Sequence, residues 1–233
     1  MDRLKKWDKD EGAGPVTEAD LAVNAYLEDT LQAVRPDYGW LSEETEDSEA
    51  RLKKSRAFVI DPIDGTRSFI EGSTTWAHSI AVVEDGRPIA AVVYLPLRQK
   101  LYAAALGQGA TLNGKAIMAS QRSKLEGSEL LAARPAFEPH HWKSAPPDLK
   151  RAYRPSLAYR LALVAEGRYD GMLTLRRSWE WDIAAGALLI TEAGAQVTDR
   201  KGADLRFNKS DPASNGVVAS SANIHAELIK ALA

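Results

Sequence analysis

The chain contains no cysteine among its 233 residues, which excludes disulfides, thiolate nucleophiles and cysteine-bound zinc together. It also lacks an excess of either charge. Its 30 Lys and Arg stand against 32 Asp and Glu, and no Lys/Arg block is dense enough to serve as an electrostatic footprint for nucleic acid. A nucleic-acid polymer is therefore not an expected partner. No stretch approaches the ~20 apolar residues of a membrane-spanning helix, and Met1–Trp7 has no apolar core of a secretory leader. These absences lead us to expect a soluble cytoplasmic protein that does not act at a membrane. The four histidines, His78, His140, His141 and His225, show no HxxxH or HExxH spacing. Ser42, Ser68 and Ser73 lack a nucleophile-elbow pattern. Any chemistry must then rest on other groups.

At 45% hydrophobic residues the chain can bury a sizeable core. No internal repeat divides it, so it reads as one compact unit of two lobes, 1–133 and 134–233, meeting at a Pro-rich stretch (Pro135, Pro139, Pro146, Pro147). Ala22, Val23, Tyr26, Leu27, Leu31 and Val34 follow helical spacing, with Thr17 and Asp20 in capping-box positions and Pro36 closing the pattern. The run Ala57-Phe58-Val59-Ile60 reads as a buried strand ending in a polar turn. Two β-rich runs around Glu84-Asp85-Gly86-Arg87 predict a hairpin, and Asn113-Gly114 predicts another turn. Helical patterns over 156–166 and 183–193, then a last strand and helix, predict a layered mixture of helices and strands.

The candidate chemistry lies in carboxylates. Asp61 and Asp64 flank Pro62-Ile63 at the end of the apolar run, and together with the Ile63 carbonyl they can converge on a hard cation such as magnesium, which favours oxygen donors. Gly65 and Thr66 follow at once and can offer backbone N–H groups to a phosphate. An ordinary Asp-Pro turn with solvated acids is the alternative. Glu43 ends another apolar-to-acidic transition, where a solvated acidic loop is the plainer account. Asp182 precedes the apolar run Ile183–Ile190 and serves either as a helix N-cap or as a further carboxylate around a pair of metal ions. Asp20 either favours the positive end of its own helix or faces Thr66 and accepts its hydroxyl proton.

These segments resemble the inositol monophosphatase family: Gly-Pro-Val-Thr-Glu-Ala-Asp at 14–20, Ser-Glu-Glu at 42–44, Asp-Pro-Ile-Asp-Gly-Thr at 61–66 and Trp-Asp-Ile-Ala-Ala-Gly at 181–186, in family order. Ser156–Gly167 and Thr191–Gly194 extend the resemblance. It implies an α/β fold, an αβαβα sandwich of the sugar-phosphatase type, usually dimeric. It also implies magnesium dependence with two or three ions and frequent inhibition by lithium. By motif position, Glu43, Asp61, the Ile63 carbonyl, Asp64 and Asp182 would bind metal. Thr66 with Asp20 and Glu43 would activate water for direct attack on phosphorus, and the Gly65 and Thr66 amides would bind phosphate. Inositol 1-phosphate heads the expected substrates; 3′(2′),5′-bisphosphate nucleotides, histidinol phosphate and fructose bisphosphate are alternatives, and an inactive binding or regulatory homologue is the reading from a different class.

Two departures from the family stand out. Family members usually carry a further helix before the segment at Lys5–Asp10. Between Asp170 and Asp182, where inositol phosphatases place a glutamate on the inositol hydroxyls, this chain has Met172-Leu173-Thr174-Leu175-Arg176-Arg177. Arg176 or Arg177 would suit a second phosphate there, with a solvated arginine pair as an equally plain alternative.

Overall fold

The computed structural model describes residues 4–8 and 14–233; the readings of Met1–Arg3 and of Lys9 and Asp10 lie outside the described residues. A short antiparallel ribbon of β1 (Lys6–Asp8) and β2 (Pro15–Thr17) leads into α1 (Glu18–Val34). The expected capping box starts this helix: Thr17 Oγ1 accepts from the Ala19 and Asp20 amides, and Asp20 Oδ2 accepts from the Thr17 amide at 2.8 Å. The buried face differs from the apolar stripe the sequence predicts. Asp20 and Asn24 are its fully buried residues, whereas Tyr26 and Val34 are exposed. Polar work at the site, described below, takes the face that packing would otherwise claim.

The first half of the chain then forms a seven-stranded sheet in sequence order. Its strands are β3 (Gly39–Ser42), β4 (Arg56–Asp64), β5 (Ala77–Glu84), β6 (Arg87–Leu95), β7 (Lys100–Ala105), β8 (Ala110–Leu112) and β9 (Lys115–Ile117), with the short helix α2 (Thr66–Ile70) between β4 and β5. β3 and β4 are parallel and every later pairing is antiparallel. Both predicted turns are present. Asp85 and Gly86 have φ of 50° and 78°, Asn113 and Gly114 of 50° and 76°, the positive pairs that a two-residue hairpin turn demands.

A five-stranded sheet in the order β11-β10-β12-β14-β13 completes the framework. It comprises β10 (Glu129–Ala132), β11 (Lys150–Ala152), β12 (Gly171–Trp179), β13 (Gln196–Thr198) and β14 (Ala213–Ser220). Its first strand thus precedes the Pro-rich stretch. Between the sheets lie α3 (Leu157–Ala165) and α4 (Glu180–Glu192), whose apolar residues join Val59, Ala81 and Val93 of one sheet and Met172, Val217 and Ala219 of the other in one core. α4 is buried on all sides from Ile183 to Ile190, and a side chain at Gly186 would overlap Leu161 of α3. The outer face of the second sheet buries Leu130, Leu173 and Val218 under Ile224 and Leu228 of α5 (Ala222–Ala231). With α1 packed on β4, the layers read αβαβα, as expected. Among the described residues no helix is long and apolar enough to cross a membrane.

Candidate active site

The strand predicted to stop at Ile60 does not stop there. β4 runs on through Asp61-Pro62-Ile63-Asp64, pairing Asp61 with Ser79 and Asp64 with Ala77. Two residues, Pro62 and Ile63, therefore face the single His78 across the ladder. In a regular strand, side chains three apart point to opposite faces; the extra residue of this bulge puts Asp61 and Asp64 on the same face. A bulge is also where a sheet tolerates proline, and the Pro62 carbonyl is held by His78 Nδ1. Glu43 stands alongside because its amide donates to the Ile60 carbonyl at 3.2 Å, continuing the β3–β4 ladder. Asp182 arrives from the helix layer. It is the third residue of α4, whose N-cap is Trp179 without a side-chain bond, so the N-cap role is not the one it takes. Carboxylate oxygens of Glu43, Asp61 and Asp182 all lie within 4.8 Å of one another.

Burial is the largest influence on these acids. It raises Asp61 well above the usual carboxylate range, and the nearby Glu43, Asp64 and Asp182 charges add to the shift. Asp182 is raised in the same way, by burial first and then by Asp64 and Glu43. Asp64 is pushed up to about 6 by burial, against the lowering effect of two hydrogen bonds. These come from Ser156 Oγ and the Ala158 amide, each 2.6 Å from Oδ2. Asp61 Oδ1 is buried with no hydrogen-bond partner among the described residues. A buried carboxylate oxygen without a partner is costly, and an all-oxygen set of converging carboxylates suits a hard divalent cation. The residues present fit such an ion.

Beside the acids, the chain turns at Gly65, whose φ of 97° precedes the first turn of α2. Thr66 Oγ1 sits 3.2 Å from Asp20 Oδ1 and 3.2 Å from the Ile63 carbonyl. Asp20 thus serves both accounts the sequence left open, one oxygen in the helix cap and the other on Thr66. One turn along α1, Asn24 accepts from Ser42 Oγ at 2.6 Å and donates to Thr45 Oγ1 at 2.9 Å, fixing the loop that carries Glu43. Sequence reasoning missed Asn24, although two polar residues spaced i, i+4 on an apolar-patterned helix were a signal for it. It also missed Ser156, which shows itself only as the cap of α3.

The acids open onto a cavity of about 850 Å³ lined also by Gly65, Thr66, Arg160, Arg176, Trp179 and Trp181. Trp179 and Trp181 stack with centroids 4.9 Å apart, and the Trp181 indole N–H is buried without a partner among the described residues. The two arginines grouped by the sequence part here. Arg176 lines the cavity. Arg177 instead crosses Trp179 and pairs with Asp211, one contact at 3.0 Å, beside a separate cleft.

A layered α/β fold whose cavity gathers carboxylates, a threonine and a glycine turn offers donors that suit a hard divalent cation beside a phosphate group. The family model described as "Inositol monophosphatase family" matches residues 2–233, and the chain belongs to the inositol monophosphatase family. It is 34% identical over 217 residues to an inositol-1-monophosphatase of Mesorhizobium japonicum, spanning 87% of this chain and 79% of that protein. It is 37% identical over 201 residues to the Nus factor SuhB of Xylella fastidiosa, spanning 81% and 70%. Among solved structures it resembles the Thermotoga maritima IMPase with TM-score 0.81 and 30% identity, covering 98% of this chain and 87% of that one. A phosphatase function is thereby supported, while the relatives carry two kinds of name.

Proposed function

We propose that the protein is a magnesium-dependent phosphomonoesterase of a small phosphorylated metabolite. The observation that carries this reading is the buried, unpartnered Asp61 Oδ1 within the Glu43–Asp61–Asp182 cluster. Glu43, Asp61, Asp64, Asp182 and the Ile63 carbonyl would hold the ions. Bound Mg2+ supplies an activated water and charge stabilisation for the phosphoryl group and the leaving oxygen. The chain's own part is positioning. Thr66 Oγ1, held between Asp20 and the Ile63 carbonyl, accepts from the attacking water and passes its own proton's hydrogen bond to Asp20. The Gly65 and Thr66 amides, at the start of α2, face the phosphate oxygens. Water oxygen bonds to phosphorus as the ester P–O bond breaks; one water proton stays on the released phosphate and the other ends on the leaving oxygen, which departs as the alcohol.

Thr174, Leu175 and Arg176 line the cavity and none of them is acidic, so inositol 1-phosphate, the first expected substrate, is tested within a panel. The panel adds 3′-phosphoadenosine 5′-phosphate, histidinol phosphate and fructose 1,6-bisphosphate, with magnesium and with EDTA. Magnesium-dependent phosphate release is expected, and Thr66→Ala should lower kcat about a hundredfold with little change in KM. Folded protein that releases no phosphate from any of them would favour the second reading, a binding or regulatory homologue, which the Nus-factor name of some relatives keeps in view. A homodimer in the cytoplasm is the accompanying proposal, and light scattering in solution reads the oligomer.

A further inference from the structure

The ladder between β12 and β14 slips once. Thr174 pairs with Val217 and Arg177 with Asn215, so Leu175 and Arg176 together face only Gly216. A regular strand sends consecutive side chains to opposite faces, yet Thr174, Leu175 and Arg176 all line the cavity. The bulge makes this possible. Gly216 is the residue that permits it: its φ is +74°, and a Cβ there would lie 2.6 Å from the Thr174 carbonyl.

Arg176 faces a partner of like charge. Arg160, on α3, is 5% exposed; it donates to the Arg154 carbonyl and, at 3.2 Å, to the Pro155 carbonyl, and lies 4.5 Å over the Tyr153 ring. Its guanidinium is therefore fixed in place at the cavity wall. Arg176 makes a single long hydrogen bond, 3.4 Å to the Arg177 carbonyl. Among the described residues neither guanidinium forms an ion pair with a carboxylate, unlike Arg177 with Asp211. Asp64 acts on Arg160 and Arg176 on Asp182 only through space; the two guanidinium groups still repel each other across the cavity, and an anion between them offsets that repulsion while matching their planar donors.

We propose that Arg176 and Arg160 form a second anion subsite, so that the preferred substrate carries another anionic group, phosphate or carboxylate, besides the phosphoryl group that is hydrolysed. This rests on the phosphatase reading above. The test uses matched pairs that differ in the second anion alone: fructose 1,6-bisphosphate against fructose 1-phosphate, adenosine 3′,5′-bisphosphate against adenosine 3′-monophosphate, and 3-phosphoglycerate against glycerol 3-phosphate for the carboxylate case. At least one doubly anionic member should be favoured about tenfold or more in kcat/KM. Arg176→Gln should erase that preference through KM and leave the singly anionic partner within about twofold. No preference in any pair, or equal loss on both members, overturns the subsite. A second readout is free of hydrolysis: calorimetric binding of adenosine 3′,5′-bisphosphate in EDTA, expected to weaken at least roughly fivefold in Arg176→Gln. If nothing is hydrolysed but this difference remains, the phosphatase reading fails and the subsite stands. Hydrolysis without discrimination sinks the subsite alone, and loss of both signals overturns both.

Discussion

At Asp61 two requirements conflict. Its carboxylate is 1% exposed, has an unpartnered oxygen and sits among acids that raise its proton affinity after burial has already done so. Without a cation such a group costs folding free energy, because buried charge needs a counter-charge or a hydrogen bond. Asp61→Asn keeps the shape, removes the charge and gives the neighbouring carboxylates a donor. We expect the metal-free variant to be more stable than the parent by about 1–2 kcal/mol, seen as a higher urea midpoint in EDTA, while phosphate release is lost. A lower midpoint would mean that Asp61 is held by contacts that neutralisation breaks. Asp64 answers the same problem differently, because Ser156 Oγ and the Ala158 amide both donate to it.

Strand irregularity is the common device among the elements. One bulge in β4 brings Asp61 and Asp64 to a single face, and another in β12 separates Arg176 from Arg177. Gly216→Ala tests the second. With φ at +74° and a carbonyl in the way, the substitution should cost about 1–3 kcal/mol and lower the thermal midpoint; an unchanged midpoint would show that the bulge adapts freely. These bulges also mark the limit of what the sequence disclosed. The turns at Asp85-Gly86 and Asn113-Gly114 were legible because few residues accept positive φ, and the Thr17–Asp20 cap because its partners are three residues apart. β4 beyond Ile60 was not, since Pro62 argues against a strand unless a bulge excuses it. The start of α4 at Glu180 was hidden as well, because a helix enclosed by two sheets has no polar face to set a period. That Glu43, Asp61 and Asp182 come together was legible in their motifs. Ser156 and Arg160 were not, because their partners or their cavity are assembled only by packing distant segments, as with Ser156 and Asp64, 92 residues apart.

For the whole molecule, the acidic cluster is a junction of layers. Glu43 follows β3, Asp61 and Asp64 belong to β4, Asp182 comes from α4, and α3 holds Asp64 through its first turn. These groups meet only in the folded chain, so a divalent ion that binds there binds the native state and not the unfolded one. Its stabilisation is then set by mass action, about 2.7 kcal/mol at a hundredfold excess over Kd, or roughly 5–10 °C of thermal midpoint for a domain of this size. We expect the midpoint of EDTA-treated protein to climb with added magnesium in a concentration-dependent way. Sodium chloride at matched ionic strength should not reproduce the climb, because screening acts weakly on buried groups. Asp61→Asn should flatten it while starting from a higher metal-free midpoint. An equal rise with sodium chloride, or an undiminished rise in Asp61→Asn, would place the ion elsewhere and leave the buried acids without the counter-charge that their convergence demands.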